Sequence, residues 1–304
     1  MMWMRQKESA HPSDERKRME EFTMNIMVTG AAGGYGNYAL DYLKGFAPDA
    51  NIYGLVHSAA KGKALEEKGV KVRVADYADR NALVKAFDGI DRLLFVSVPM
   101  FDLQRNVIAA AKEAGVKFIA YTSISDPQYS KFGLEINHRQ TEQLIAESGI
   151  PYTILRDNWY LELMEDYLKA AVRNGRFPYY AGTGKIAFAL KREYAEAGAR
   201  VIAGGEYPQV LTLAGKPVSF PELAKRTEEA AGKKLDIYET PKGKFTMEFA
   251  AGEITDLGRM LAVSYQDYAF AGNNGEENLT TDDFEKVLGH PLTPLADAIK
   301  ELIG

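Results

Sequence analysis

From Met24 onward, short apolar runs alternate with longer amphipathic stretches. The run over residues 25–29 passes through Gly30, Gly33 and Gly36 into a helix, with Tyr38, Ala39, Tyr42 and Leu43 on one face. The same reading predicts strands over 52–57, 70–75, 92–98, 116–122 and 152–156, and helices over 59–68, 80–87, 102–114 and 135–148. Residues 92–98 hold a continuous apolar run, the mark of a parallel strand buried on both faces. Repeated β-α-β units with short links predict an α/β fold: a Rossmann-like, doubly wound parallel sheet with helices on both faces. After Arg156 the rhythm loosens. A helix is expected over 158–172, strands over 185–190, 209–214 and 235–239, and helices over 193–203, 245–251, 254–263, 281–288 and 295–303. Ser219 and Glu222 have the spacing of a capping box at a further helix start. The expected division is a nucleotide-binding domain over 24–157 and a smaller mixed C-terminal lobe over 158–304, with segments returning to the main sheet.

Size and charge narrow the picture. The chain of 304 residues is 46% hydrophobic, enough to bury a substantial core. Its net charge of −5 argues against nucleic acid or an anionic membrane as partner. No apolar run is long enough for a membrane span, and a homodimer is left open. With no cysteine, disulfides and thiolate metal sites are excluded and a cytoplasmic setting is expected. The four histidines show no metal-ligand spacing. Residues 1–23 are polar and mixed in charge, unlike a signal peptide; they read as a disordered leader, with a helix over 15–22 as an option.

The glycine run carries the clearest chemistry. G-x-x-G-x-x-G between a strand and a helix is a dinucleotide-binding turn of the extended short-chain dehydrogenase type. Gly30 permits the turn, Gly33 lets a pyrophosphate approach the backbone, and Gly36 lets helix and strand pack closely. Ala32, Gly34 and Tyr35 complete the loop, and the helix N-terminus adds free N–H groups. Strand two ends in His57 and Ser58, followed by Lys61, with no carboxylate to hold ribose hydroxyls. That favours a 2′-phosphate and hence NADP(H) over NAD(H). Asp76, with Tyr77 after it, either accepts from an adenine amino group or caps a turn. Ser97, Val98 and Pro99 end strand four, where the chain passes the cofactor ribose.

A standard short-chain dehydrogenase would next place a Tyr-x-x-x-Lys pair on the helix after strand five. Here Thr122 and Ser123 end that strand, and the pair's positions hold Leu134 and His138. Ordinary carbonyl reduction by that mechanism is therefore not expected. His138 either delivers a proton or hydrogen-bonds a ribose.

Three segments together, Gly115 to Ser123, His138 to Glu142 and Tyr152 to Tyr160, resemble the NmrA-like atypical short-chain dehydrogenases, above all their type 2 NAD(P)H:quinone oxidoreductases. Residues 184–187 and 288–291 extend the likeness over most of the chain from Met24. The resemblance implies an NADPH-binding domain that reduces a quinone or similar small electrophile. It places His138 and Glu142 beside the cofactor, and Arg156, Asn158, Trp159 and Tyr160 around nicotinamide and substrate, with His138, Asn158 and Tyr160 as the catalytic candidates. Trp159 and Tyr160 either stack on a flat substrate or belong to the core. His57 stands where similar proteins carry Arg, which leaves Lys61 as the main cation, and Asp157-Asn158 stands where they tend to carry Asn-Gly. A quinone needs little acid catalysis, because its reduced oxyanion is delocalised into an aromatic ring. The same family includes dinucleotide sensors that regulate a protein partner, and the missing Tyr-x-x-x-Lys pair keeps that alternative open. A sugar-nucleotide or isoflavone-type reductase would call for Lys at position 138.

Overall fold

A computed structural model describes residues 23–250 and 254–304. The first half runs β1 (Asn25–Val28), α1 (Gly34–Phe46), β2 (Asn51–Val56), α2 (Ala59–Glu67), β3 (Lys71–Val74), α3 (Arg80–Phe87), β4 (Arg92–Phe95), α4 (Phe101–Glu113), β5 (Phe118–Ile124), α5 (Leu134–Ser148) and β6 (Tyr152–Asp157). The second runs β7 (Trp159–Tyr160), α6 (Glu165–Asn174), β8 (Arg176–Tyr179), β9 (Lys185–Ala189), α7 (Lys191–Ala203), β10 (Val210–Leu213), β11 (Pro217–Ser219) and α8 (Phe220–Ala231). It closes with β12 (Asp236–Glu239), α9 (Lys242–Ala250), α10 (Asp256–Ala271), α11 (Asp282–Leu288) and α12 (Leu295–Ile303).

Seven strands form one sheet in the order β10-β6-β5-β4-β1-β2-β3, with every neighbouring pair parallel. The order reverses between β1 and β4, which opens a crevice at their C-terminal ends. Strand periodicity builds the two cores. Ile26 and Val28 point into one with Leu40, Leu94 and Val201, whereas Met27 points into the other with Leu93, Phe95 and Ile119. Burial on both faces is why these strands read as apolar runs. A third core fills the C-terminal part, where Tyr167, Phe177, Phe220, Tyr265 and Ile299 meet. Two small sheets stand there, β11-β9-β7 and β12-β8. The expected capping box is present: Glu222 N–H donates to Ser219 Oγ at 3.4 Å, and Ser219 N–H donates to Glu222 Oε2 at 2.8 Å. No helix among the described residues is long and apolar enough to cross a membrane.

Several expectations need correction. Residues 158–172 do not form one helix: β7 and a 3-10 turn (Leu161–Met164) precede α6. Trp159 and Tyr160 are pulled into extended pairing with Phe188 and Ala189, a tertiary contact that overrides local helix pattern. Strands β8 and β11 escaped the reading because each is short and contains proline, tolerated at the edge of a small sheet. The helix expected over 254–263 continues to Ala271, started by Thr255, whose Oγ1 accepts from Gly258 N–H at 3.0 Å. On α1, Tyr38 is 42% exposed, and the buried stripe is Tyr35, Gly36, Ala39, Leu40 and Leu43. The stripe turns because α7 lies along α1, and Gly198 leaves the space that Tyr35 fills. Residues 1–22, the optional helix over 15–22, and the predicted helix end at Ala251 lie outside the described residues.

Candidate cofactor cleft and acceptor site

A cleft of about 490 Å³ opens at the strand-order reversal. Its walls come from the turn after β1 (Gly30, Ala32, Gly33), the end of β2 (Leu55, Val56, His57) with Lys61, the end of β3 (Ala75, Asp76, Tyr77), and Val98, Met100 and Leu103. Gly30 has a φ of +58°, a conformation that costs a residue with Cβ. A Cβ on Gly36 would collide with the Gly30 carbonyl oxygen, so the first turn of α1 packs on the loop only with glycine at this position. Gly33 is the N-cap of α1 and offers no side-chain cap, which leaves the first N–H groups of the helix open to an anion. Tyr35 differs from expectation: its hydroxyl donates to Tyr194 O at 2.9 Å inside the core, so only its backbone faces the turn.

No carboxylate stands at the end of β2. His57 and Lys61 are exposed on the cleft wall, and among the described residues Lys61 has no ion-pair partner. Ser58 is the N-cap of α2, with a hydroxyl that caps nothing. Asp76 Oδ1 accepts from Ala78 N–H at 2.8 Å, so the turn reading holds, and the same residue lines the cleft. Tyr77 packs its ring edge against Phe95, and its buried hydroxyl lies beside Thr29 and the Gly30 backbone. Burial pushes that phenol up to about 12, so it stays a donor at neutral pH. An open helix N-terminus, a glycine cradle and a cation without an ion-pair partner among the described residues fit a dinucleotide in this cleft.

The strand ends beside the cleft are tied together. Ser97 N–H donates to Thr122 Oγ1 at 2.9 Å, and Thr122 Oγ1 donates to Ser97 Oγ at 3.1 Å. Pro99 holds α5 through its carbonyl, which accepts from Asn137 Nδ2 at 2.6 Å. Ser123 donates to Glu142 Oε1 at 2.6 Å, and the Arg156 fork clamps the same carboxylate at 3.0 and 2.7 Å. Arg156 is therefore a partner of Glu142 more than a free lining residue. This pairing raises the guanidinium further above its ordinary value.

His138 sits at the end of a relay invisible in sequence. Thr141 Oγ1 donates to Asn137 O at 2.8 Å and accepts from Gln104 Nε2 at 3.0 Å. Gln104 Oε1 accepts from Tyr121 at 2.9 Å, and Tyr121 Oη lies 2.8 Å from His138 Nδ1. With the Tyr121 proton committed to Gln104, Nδ1–H must be the donor to Tyr121 Oη, and Nε2 is left as a bare acceptor. Burial lowers the ring to about 4, against a smaller opposing pull from Glu142. At neutral pH His138 is therefore uncharged, with Nε2 as an acceptor.

The remaining candidates face inward. Asn158 Oδ1 accepts from Ser125, while Nδ2 donates to Ala187 O at 2.8 Å and Glu276 Oε2 at 2.9 Å. Trp159 is buried and donates from Nε1 to Glu276 Oε1 at 3.0 Å, which makes it core. Tyr160 donates to Asp157 Oδ2 at 3.1 Å and packs on Tyr194, leaving part of its ring accessible under Lys191. The expected catalytic grouping of His138, Asn158 and Tyr160 is thus not presented as free polar groups. The hub of the buried network that takes Asn158 and Trp159 is Glu276, missed in the sequence: this fully buried carboxylate also pairs with buried Lys131 at 3.0 Å and accepts from Tyr268 and from Ala187 N–H.

Sheet order, glycine cradle and cleft define a dinucleotide-binding protein of the doubly wound class. Residues 30–177 match the NAD(P)H-binding family model. Quinone oxidoreductase 2 of Escherichia coli K12 is 37% identical over 286 residues, which cover 92% of this chain and 99% of that protein. The structure of an NADPH-dependent quinone oxidoreductase from Escherichia coli in complex with NADPH superposes with a TM-score of 0.80 at 37% identity, covering 92% of this chain and all of that one. Triphenylmethane reductase of Citrobacter sp. superposes at 0.83 with 31% identity over 92% of this chain and 99% of that one. An NmrA-like oxidoreductase of Aspergillus flavus is 26% identical over 92% of this chain and 95% of its own length. The chain belongs to the NmrA-like family of NAD(P)H-binding oxidoreductases.

Proposed function

We propose that this chain is an NADPH-dependent reductase of a quinone or a similarly flat, conjugated electrophile. The observation that carries the cofactor choice is the cleft wall after β2, which presents His57 and Lys61 and no acid. The cofactor, when bound, supplies the hydride. The chain's residues bind and orient: the turn from Gly30 to Gly36 receives the pyrophosphate, and Lys61 with His57 receives the 2′-phosphate. Asp76 and Tyr77 border the adenosine end. Ser97, Val98 and Thr122 border the ribose, and His138 accepts from its hydroxyl through Nε2. Water protonates the acceptor oxygen, which needs no strong acid because its charge is delocalised. The acceptor choice rests on the likeness to a quinone reductase and a triphenylmethane reductase. The absence of cysteine supports a cytoplasmic setting.

The test follows NADPH and NADH absorbance loss with a benzoquinone and with a triphenylmethane dye, each corrected for the rate without protein. Saturable oxidation with lower KM for NADPH is expected. Tight NADPH binding without turnover on either acceptor would replace this reading with that of a non-catalytic sensor of the cofactor.

A further inference from the structure

The two cations that open α7 are treated differently. Arg192 is occupied: its guanidinium meets Glu301 at 2.8 and 3.2 Å and Thr293 at 2.9 Å. The Lys191 ammonium has no hydrogen-bond or ion-pair partner among the described residues and rests 5.4 Å above the Tyr160 ring. Its own backbone is fixed. Both oxygens of Glu162 accept the Lys191 N–H, at 2.9 and 3.0 Å, so the carboxylate holds the main chain and not the ammonium. The side chain then extends over the first residue of α1. A Cβ on Gly34 would lie 3.3 Å from Lys191 Cδ and 3.8 Å from Nζ. Gly34 thus makes room for a cation carried in from another element, at the helix end whose N–H groups are free.

We propose that Lys191 is a pyrophosphate-binding residue, closing over the cofactor's diphosphate from α7 while the glycine turn holds it from below. The proposal rests on the dinucleotide-binding reading above. A cation braced by an aromatic face, with its backbone anchored, loses little freedom when it meets a phosphate oxygen. The position separates its role from that of Lys61, which stands in the first turn of α2 on the cleft wall beyond β2. Lys191 would bind NADPH and NADH alike, whereas Lys61 distinguishes them.

The test is calorimetry on full-length protein with NADPH, with ADP-ribose and with adenosine 2′-monophosphate, comparing wild type, Lys191→Met, Lys191→Gln and Lys191→Arg. Loss of one charge-assisted contact should weaken NADPH and ADP-ribose roughly tenfold. Adenosine 2′-monophosphate, which lacks the diphosphate, should bind unchanged. Lys191→Arg should keep most of the affinity, and the salt dependence of ADP-ribose binding should be shallower in Lys191→Met. Ligand-free melting curves check that each variant is folded; Lys191→Gln serves if Lys191→Met is not. Wild-type affinity for ADP-ribose in the folded neutral variants would overturn the assignment and leave the cofactor reading intact. Failure of the wild type to bind any of the three would overturn both.

Discussion

Breaking the buried pair of Lys131 and Glu276 tests how the C-terminal part is held to the cleft. Both side chains are fully buried and 3.0 Å apart. At an effective dielectric near 20, that separation corresponds to an attraction of about 5 kcal/mol, which offsets the cost of removing two charges from water. Lys131→Met removes the cation and leaves Glu276 charged, with Trp159, Tyr268, Asn158 and Ala187 still donating to it. Removing one partner of a buried pair costs about 3–5 kcal/mol. For 304 residues the unfolding entropy near the midpoint is about 0.6 kcal/mol/K. A loss of about 4 kcal/mol therefore lowers Tm by about 6 °C. The assay is urea unfolding followed by tryptophan fluorescence, with Tm measured alongside, for Lys131→Met, Glu276→Gln and the double variant. The double variant should lose at least about 2 kcal/mol less than the sum of the singles, since it buries no unpaired charge. Strictly additive losses, or a Lys131→Met penalty below about 1 kcal/mol, would refute the view that this pair is electrostatically coupled in a dry interior.

Lys61→Glu places a negative charge at the site assigned to the 2′-phosphate and should raise the KM for NADPH about tenfold more than that for NADH; equal effects on both would remove that assignment. Glycine substitutions should separate binding from folding. Gly33→Val should abolish NADPH binding in a folded protein, because the nearest atom to a Cβ there is Gly30 O at 3.2 Å, whereas Gly36→Ala should lower Tm as well, because its Cβ meets that oxygen head-on; unchanged NADPH affinity in Gly33→Val would dismiss the cradle. His138 should make the protein acid-sensitive. Its ring falls from 6.5 in the unfolded chain to about 4 in the folded one, so stability is complete above pH 6.5 and declines as pH falls through this window. The total decline is about 3 kcal/mol, and His138→Gln should flatten it; identical acid slopes in the two proteins would show that the ring is not buried neutral.

What the chain determines by itself is local. The parallel sheet follows from apolar runs buried on both faces, and the cradle follows from three glycines between a strand and a helix, one with positive φ and one without room for a Cβ. The missing acid after β2 and the missing Tyr-x-x-x-Lys pair are equally plain, since each lies within a few residues of a recognisable element. What only the tertiary structure decided is non-local. Glu276 meets Lys131 across 145 residues and Trp159 across 117, and in sequence it is one more acid before a polar stretch. The tautomer of His138 comes from Tyr121 and Gln104 on other elements, and its depressed basicity comes from burial. Trp159 and Tyr160 are extended because β9 pairs with them, and Glu276 takes the Asn158 amide before them, contacts that no periodicity encodes. Lys191 reads as a solvated charge at a helix start until α7 is laid along α1 and the cation is brought over Gly34. Periodicity and turn chemistry act between neighbours in the chain; burial, charge pairing and tautomer depend on neighbours in space.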